Sequence, residues 1–494
     1  MFSELKRLLR HSAVYGSASV LQKGIGFFMI PVYTHYLSPA DYGILELLDL
    51  TINVITMLIG MRLGAALIRY YHRYESEQDR QEVFSTALMF IVPMVFMVVV
   101  LLEIFAKPIA GLILGDQDYY LYFQIMFVAM GLQTIAAVPE SLLKAQVKSV
   151  HYSVITILTL VSYLTLNILF LVVFGWGLIG LLFSILITKI FNNLMLFIVV
   201  RADLVLRFSW QKLKGMILFS APLIPASMAM FAIHFSDRFF VSHYCTLDDL
   251  GIYSLGYKFG MMIGFLVSAP FFKIWNTQRF EIAKRNNPGP TLSRFFSFYT
   301  LLVVFIGLGI SVFSDEVVQI MAPAEYAGAS SVIALIVLSY IFSGMATFFT
   351  LGTMLMYKNI YTAYIQVSTA GLNIVLNLLL IPQFGIMGAA LSTVLTFLVL
   401  WIVTMLNSQR LYYLPLEIRR LASLVLVALL VYSAAFFVEQ SLLVSIGFKA
   451  LLMLSFPLLL WILGFFYAEE LTRIKELLYD FRAKVMRPGP NANP

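Results

Sequence analysis

Apolar runs about as long as a membrane-spanning helix recur along the whole chain, separated by short polar segments. A run of ~20 apolar residues crosses the ~30 Å hydrocarbon core of a bilayer as an α-helix. The pattern predicts fourteen spans, and the chain is therefore expected to be an all-α polytopic membrane protein. The spans lie near residues 12–35, 42–66, 83–105, 120–143, 152–174, 177–200, 216–241, 250–273, 294–314, 330–357, 360–381, 385–407, 418–438 and 446–468.

The order of apolar and polar positions repeats at an offset of 208 residues. Residues 12–47 match residues 220–255 without a gap at twelve positions, and the same offset relates Gly177 to Gly385. Such a repeat decides the architecture and has to be recognised first. Each copy holds six predicted spans. An even number inserts both copies in the same orientation, related by an axis along the membrane normal.

The repeat and the spans together predict the organisation of the chain. Two six-helix lobes are expected at 1–208 and 209–412, followed by helices thirteen and fourteen within 413–470. A charged cytoplasmic tail is expected at 471–494. No polar connection exceeds roughly twenty residues, which leaves no room for a soluble catalytic domain.

Composition and charge placement agree with this topology. Of 494 residues, 61% are hydrophobic and 12% are charged, about half the charged fraction of a soluble protein. Basic residues crowd every second connection, whereas the opposite side carries only Lys107 and Lys449. This positive-inside bias predicts cytoplasmic termini and explains the net charge of +7 without a nucleic-acid partner. Cys245, the single cysteine, excludes a disulfide framework.

Five basic residues fall inside predicted spans, where an ionisable group costs ~2.5–3.5 kcal/mol and marks a functional hypothesis. They are Lys23, Arg62, Lys189, Arg238 and Lys258. We expect them to line a cationic cavity that binds an anionic substrate, since charge-assisted contacts are strong in a low-dielectric site. No cofactor is expected.

These cations lie at different predicted depths, and each has a structural alternative. Lys23 and Lys189 are mid-span, where a charge rarely faces lipid. Arg62 and Lys258 could extend to an interface, and Arg238 could pair with Asp237.

Three acidic residues in predicted spans are candidates for a gate or for ion coupling. Glu46 and Asp49 are three residues apart and share a helix face, and Asp237 precedes Arg238. Asp49 lies beside the repeat counterpart of Lys258. The two halves are thus expected to place opposite charges at similar depth. That arrangement is either an ion pair that closes the outer side or a gate with a proton site.

Motifs of catalysis are missing from the sequence. No His, Asp or Glu cluster has metal-ligand spacing, and no phosphate-binding glycine loop or nucleophile elbow occurs. The chain is expected to be no enzyme and to hold no metal.

Two sets of motifs resemble the signatures of one transporter family. The second repeat contains SDRFF at 236–240, LGIYS at 250–254 and YK at 257–258. The first contains IPVYT at 30–34 and LSPADYG at 37–43. They resemble bacterial polysaccharide (O-antigen type) flippases of the multidrug/oligosaccharidyl-lipid/polysaccharide exporter superfamily. The resemblance covers most of spans one to twelve.

The resemblance implies a substrate, a direction and a location. The substrate is undecaprenyl-diphosphate-linked oligosaccharide, moved from the cytoplasmic to the outer leaflet of the bacterial inner membrane by alternating access. The export serves surface polysaccharide such as the O-antigen of lipopolysaccharide. Candidate partners are membrane lipid, a polysaccharide polymerase, chain-length proteins, and a proton or sodium ion for coupling.

Three rival functions follow from the same features. A lipid II flippase shares the superfamily, but the motifs fit the polysaccharide branch better. A cation-coupled drug antiporter would favour an acidic cavity, against which mid-span Lys23 and Lys189 argue. A membrane glycosyltransferase or polymerase would need a catalytic acid on a sizeable outer loop, and the predicted outer loops are short.

Overall fold

A computed structural model describes residues 26–60, 62–436, 441–467, 470 and 472, without the side chains of Leu223 and Ala226. Lys23 and, apart from Thr472, the predicted cytoplasmic tail lie outside these described residues. Within them the secondary structure is helical, and no β-strand occurs.

The α-helices follow one another through short connections. They are α1 (Ile30–Tyr36), α2 (Pro39–Ile59), α3 (Leu63–Arg73), α4 (Glu77–Ile104), α5 (Ala106–Leu114), α6 (Tyr120–Ala145), α7 (Ser149–Asn167), α8 (Gly177–Val200), α9 (Trp210–Ser220), α10 (Leu223–Tyr244), α11 (Leu247–Ile263), α12 (Ala269–Ala283), α13 (Gly289–Val312), α14 (Ser314–Met321), α15 (Ser330–Leu355), α16 (Asn359–Leu411), α17 (Ile418–Ala435) and α18 (Leu442–Ile462). Two π-helical stretches, Ile168–Val173 and Gly264–Ser268, continue α7 and join α11 to α12.

Eleven helical stretches of the described part are long and apolar enough to cross a membrane. One of them, α16, has 53 residues, which at 1.5 Å per residue would extend about 80 Å. It therefore forms two spans, and α10 occupies the predicted span 216–241. These helices account for the second to fourteenth predicted spans. The first, 12–35, lies mostly outside the described residues.

The repeat is visible in the backbone at two equivalent glycines. Gly385 interrupts the helical geometry of α16 with φ +56°, and its counterpart Gly177 has φ +57° at the start of α8. A side chain with a Cβ rarely adopts this left-handed region, whereas glycine does so without penalty. The shared glycine thus lets both copies change direction before their sixth span.

The repeat also places the same cap at the start of its second span. In α2, Ser38 accepts a hydrogen bond from the Asp41 backbone N–H at 3.1 Å, and Asp41 accepts one from the Ser38 backbone N–H at 3.2 Å. Before α11, Thr246 and Asp249 make the same reciprocal pair, each at 3.1 Å. This capping box satisfies N–H groups that the first helical turn leaves unpaired.

The two capped helix starts cross at a glycine from each copy. A Cβ added at Gly43 would overlap the Leu247 carbonyl oxygen, and one added at Gly251 would overlap the Pro39 carbonyl oxygen. The Ala40 backbone N–H also donates to Asp248 Oδ1 at 3.0 Å. Small residues allow helix backbones to approach this closely in a membrane. Residues at the start of α2 therefore contact the residues at the start of α11 that occupy equivalent positions in the second repeat.

Contacts divide the described chain into two compact units. The first contains the described parts of Met1–Lys258, Val317–Ile336 and Asn359–Leu400. The second contains Phe259–Glu316, Val337–Lys358 and the described part of Trp401–Pro494. The lobe boundaries inferred from the repeat are a division of the sequence and stay a prediction.

In the second unit, α13 and the two helices that follow the repeat share a core. Leu308 on α13, Leu424 on α17 and Leu460 on α18 belong to one buried apolar cluster. Both C-terminal helices therefore pack on the α13 helix that precedes them.

Buried charges flank this apolar cluster. Lys449 on α18 donates to Glu316 Oε1 at 2.6 Å, and Ser445 donates to the same oxygen. Burial alone would raise the pKa of Glu316, but the hydrogen bonds from Lys449 and Ser445 hold that pKa below its usual value. Arg420 on α17 pairs with Glu417 at 3.0 Å and with Glu470 at 2.9 Å. These ion pairs link α17 and α18 to other residues of the second unit.

Candidate functional site

Four charged residues of the first unit meet where the two repeats touch. This charged cluster consists of Glu46, Asp237, Arg238 and Lys258. Lys258 Nζ lies 3.2 Å from Glu46 Oε2, and Arg238 Nε lies 3.7 Å from Glu46 Oε1. Glu46 belongs to α2 of the first repeat, whereas the two cations belong to α10 and α11 of the second. The carboxylate therefore links the repeats electrostatically.

Within the charged cluster, Asp237 and Arg238 are almost fully buried, with 2% and 1% of their side-chain surface exposed. Arg238 Nη1 donates to Asp237 Oδ1 at 2.7 Å. Tyr253 and Thr393 donate their hydroxyl groups to Asp237 Oδ2 at 2.5 and 3.3 Å. The guanidinium also stacks 3.7 Å from the centre of the Tyr257 ring. The pair sequesters both charges, and removing one partner would leave a costly buried charge.

Lys258 is the accessible member of the charged cluster. Its side chain is 36% exposed. Besides Glu46, it contacts Tyr42, whose hydroxyl accepts a hydrogen bond from Nζ at 3.0 Å. In the structure, Lys258 thus contacts two residues of α2, and its extension to an interface stays a prediction.

A cavity of about 460 Å³ lies inside the first repeat, within the first unit. Four helices wall it with residues at helical spacing. Asp49 and Asn53 come from α2, Gln133 and Glu140 from α6, Tyr152, Thr156, Thr159 and Tyr163 from α7, and Thr188, Lys189 and Asn192 from α8. A volume of this size is typical of small-molecule sites, which range from ~300 to 1,000 Å³.

Lys189 is the one described in-span cation that lines this cavity. It forms no ion pair with another described residue, although Asp49 and Glu140 are close enough to act on it electrostatically. Asp49 is exposed on the cavity wall. The acid predicted as a gate residue with Glu46 thus faces the cavity, while Glu46 points into the charged cluster.

Arg62 lies apart from both groups. It is exposed and precedes α3 with φ +49°, a left-handed conformation that is strained for an arginine. It does not line the cavity. Lys23, one of the two mid-span cations of the sequence prediction, lies outside the described residues. The roles assigned to these cations from the sequence stay predictions.

Sequence reasoning missed the uncharged polar residues of the cavity. Asn53, Gln133 and Asn192 are single amides within otherwise apolar spans, and charge alone does not select them. A signal was present, since Tyr152, Thr156, Thr159 and Tyr163 follow the i, i+4, i+7, i+11 spacing of one helix face. In the described part of the chain, no group of three or more His, Cys, Asp or Glu residues is arranged to hold a metal.

Comparisons with known proteins agree with this architecture. A family model described as "Polysaccharide biosynthesis protein" matches residues 8–273. The "Probable low-salt glycan biosynthesis flippase Agl15" of Haloferax volcanii is 22% identical over 402 residues, which cover 79% of this chain and 81% of the relative. The "Succinoglycan biosynthesis transport protein ExoT" of Rhizobium meliloti is 24% identical over 326 residues, 65% of this chain and 64% of the relative.

Two solved structures share the fold. "Lipid II flippase MurJ, inward closed conformation" has a TM-score of 0.71 at 13% identity, covering 90% of this chain and 98% of that one. An inward-facing multidrug resistance MATE family transporter of the MOP superfamily has a TM-score of 0.62 at 12% identity, covering 81% and 94%. At these identities the likeness shows the fold. The predicted fold class, an all-α polytopic membrane protein, is confirmed.

Proposed function

This chain belongs to the polysaccharide biosynthesis protein family, as its two sets of motifs indicated. From that premise we propose that it is a lipid-linked oligosaccharide flippase. The substrate is undecaprenyl-diphosphate-linked oligosaccharide, moved from the cytoplasmic to the outer leaflet of a bacterial inner membrane. The observation that carries the proposal is the polar cavity enclosed by four helices of the first repeat. A polar cavity at membrane depth is where a transporter of repeated topology binds a hydrophilic cargo.

In this proposal the cations of the membrane interior bind the polar part of the cargo. Lys23 is the proposed partner of the diphosphate, whereas Lys189, which has no ion-pair partner among the described residues, offers its ammonium group to the oligosaccharide. The prenyl chain stays in lipid while the head group and sugars cross inside the protein. Transport needs no catalytic step, in keeping with relatives named as a flippase and a transport protein.

The charged cluster is the proposed outer gate. Opening the outer side would have to separate Glu46 on α2 from Lys258 on α11 and to part the Gly43–Gly251 crossing. Asp49 and Asp237 are the remaining gate or coupling candidates, with a proton or sodium ion as the coupling ion. The proposal places both termini in the cytoplasm and the exported glycan in surface polysaccharide such as O-antigen. A polysaccharide polymerase and chain-length proteins are the proposed partners.

The rival functions differ in cargo. A lipid II flippase or a drug antiporter would use the same fold, so the two similar structures do not distinguish these functions from the proposed one. Both sequence relatives carry names from glycan biosynthesis, which supports a glycan cargo. A glycosyltransferase or polymerase has the least support, since no relative above carries such a name.

The test is polysaccharide export in the native bacterium after deletion of the gene and complementation at equal protein level. We expect the deletion to abolish surface polysaccharide and to accumulate lipid-linked oligosaccharide on the cytoplasmic leaflet. Lys189→Ala and Lys23→Ala are expected to lower export by about tenfold, the effect of losing one charge-assisted contact. Lys214→Ala, at an exposed lysine of α9, is the matched control. Undiminished export in both the Lys23 and the Lys189 variant would reject the role of these cations, and undiminished export in the deletion would reject the function.

A further inference from the structure

The wall of the first-repeat cavity is rich in uncharged hydrogen-bonding groups. It contains the amides of Asn53, Gln133 and Asn192 and the phenol groups of Tyr152 and Tyr163. Three threonine hydroxyls add to them. Such groups both donate and accept hydrogen bonds, and sugar hydroxyls do the same.

Several of these groups have no hydrogen-bond partner among the described residues. Asn53 and Gln133 form no hydrogen bond with another described residue. The Thr188 hydroxyl is buried, and it too finds no partner among the described side and main chains. Asn192 is engaged once, accepting from Thr159 at 3.2 Å. Because a buried polar group without a hydrogen bond is costly, the Thr188 hydroxyl, together with the unpaired amides that face the cavity, indicates a site built for a polar occupant.

The repeat provides an internal comparison for these positions. At the offset of 208, Asn53 corresponds to Met261, Lys189 to Phe397 and Asn192 to Leu400. The same helical scaffold is therefore compatible with apolar residues at all three positions. Phe397 and Leu400 are buried in the second copy, 0% and 6% exposed. The polar groups of the first copy are not a requirement of the fold, and this favours a role in binding.

The charges of the cavity select against a strongly anionic occupant. Among the described residues of the wall, two carboxylates, Asp49 and Glu140, accompany one ammonium group, Lys189. A diphosphate would be repelled by both carboxylates in a medium of low dielectric constant. An uncharged polyhydroxyl ring instead accepts hydrogen bonds from Lys189 and donates them to the carboxylates.

We propose that the first-repeat cavity is a glycan subsite that binds one uncharged sugar ring of the cargo. This inference rests on the proposed function and assigns the diphosphate and one sugar unit of the cargo to different parts of the protein. The diphosphate lies outside the cavity, and a neutral hexose or N-acetylhexosamine unit lies between α2, α6, α7 and α8. The tyrosines of α7 provide ring faces for the apolar side of the sugar.

The test measures sugar binding to the purified full-length protein in lipid nanodiscs by saturation-transfer NMR. The probes are the methyl glycosides of glucose, galactose and N-acetylglucosamine, with methyl glucuronide and inorganic diphosphate as charged comparisons. We expect a saturable signal from at least one neutral glycoside. Gln133→Leu and Asn192→Leu should each weaken its binding roughly fivefold or more, since each removes hydrogen bonds to the ligand.

Matched controls separate a lost contact from a lost fold. Gln211→Leu and Asn359→Leu make the same changes at exposed residues of α9 and α16 and should leave binding unchanged. Asn53→Met adds a third cavity variant, which carries the residue of the second copy and is expected to fold. Binding by diphosphate or glucuronide but by no neutral glycoside would overturn the proposal. So would neutral binding that all three cavity variants retain. Because this readout is independent of export, its failure is distinct from failure of the proposed function.

Discussion

The two repeats share a scaffold but differ in what they enclose. Both begin their second span with the same capping box, and both bend at an equivalent glycine. The first copy surrounds a polar cavity of about 460 Å³. In the second copy, Phe397 stands at the position of Lys189, with its ring 5.0 Å from that of His234. The duplicated scaffold thus carries polar cavity-lining residues in one copy and buried apolar residues at two equivalent positions, Phe397 and Leu400, in the other.

Charge is distributed between the copies in a complementary way. Asp237 and Arg238 of the second copy replace Met29 and Ile30 of the first. There the charges neutralise each other within a buried network, whereas Lys189 of the first copy stays available to the cavity. Buried residues with satisfied charges in the second copy stabilise the fold, whereas unsatisfied polar groups in the first copy cost stability and are available to bind a ligand. The following predictions test this division.

Exchanging the residues at one repeat position should have the largest effect. Phe397→Lys introduces a charge where the structure has a fully buried ring. It removes ~3–5 kcal/mol of packing energy and buries an ammonium group. The variant should therefore fail to accumulate as a monodisperse protein. Lys189→Phe should accumulate normally because it projects into the cavity, yet lose export. Size-exclusion profiles and surface polysaccharide measure the two outcomes. Equal behaviour of the two variants would show that the copies do not differ as described.

Removing a carboxylate should also affect the copies unequally. Asp237→Ala leaves the guanidinium of Arg238 buried without its partner and should cost ~3–5 kcal/mol. Asp49→Ala, at an exposed site on the cavity wall, should change stability by no more than ~0.5 kcal/mol. Thermal unfolding of both proteins in the same detergent compares them. A larger destabilisation from Asp49→Ala would contradict the assignment of Asp237 as the structural acid.

The crossing of α2 and α11 should tolerate no added methyl group. Gly251→Ala would place its Cβ against the Pro39 carbonyl oxygen and should cost ~1–3 kcal/mol by overpacking. Gly371→Ala is the matched control, since no atom lies within 4 Å of its added Cβ. That variant should be neutral or up to ~1 kcal/mol more stable because alanine favours a helix. Equal melting temperatures for the two variants would show that the crossing is not tight.

The smallest effect is expected at the Glu316–Lys449 ion pair, which belongs to the second unit and is not part of the charged cluster. The pKa of Glu316 is held below its usual value of 4.5 in the folded state. Its contribution to stability is therefore fully present above pH 4.5 and is lost as the pH falls through the lower folded-state value. Unfolding measured between pH 7 and pH 3 should show a steeper loss for the wild type than for Glu316→Gln. Parallel curves would exclude this ion pair from the acid response.

Much of the fold was predictable because it depends on local sequence. The apolar runs predicted every span that the described residues cover, since a helix in lipid must satisfy its own backbone hydrogen bonds. The offset of 208 predicted that Gly177 and Gly385 are equivalent, and both have a positive φ, +57° and +56°. The kink in α16 lies where the sequence separated the eleventh span from the twelfth.

The candidate site was less predictable because it depends on which helix faces meet. Glu46 and Asp49 share one face by spacing, yet Glu46 contacts Lys258 while Asp49 faces the cavity. A difference of three residues, about 60° around a helix, is enough to direct the two carboxylates to different neighbours. Asn53 and Gln133 could not be grouped from the sequence, because eighty residues separate them and only the packing of α2 on α6 brings them to one wall.

By itself, the sequence determined the membrane-spanning helices, the repeat and the in-span charges, because hydrophobic length, glycine conformation and residue identity are local properties. Only the tertiary structure decided that Arg238 is neutralised by Asp237, that Lys258 binds Glu46, and that Lys189 faces a cavity. The reason is physical. The free energy of a charge in a membrane protein depends on the few groups within ~4–6 Å of it, and helix packing brings those groups together from distant parts of the chain.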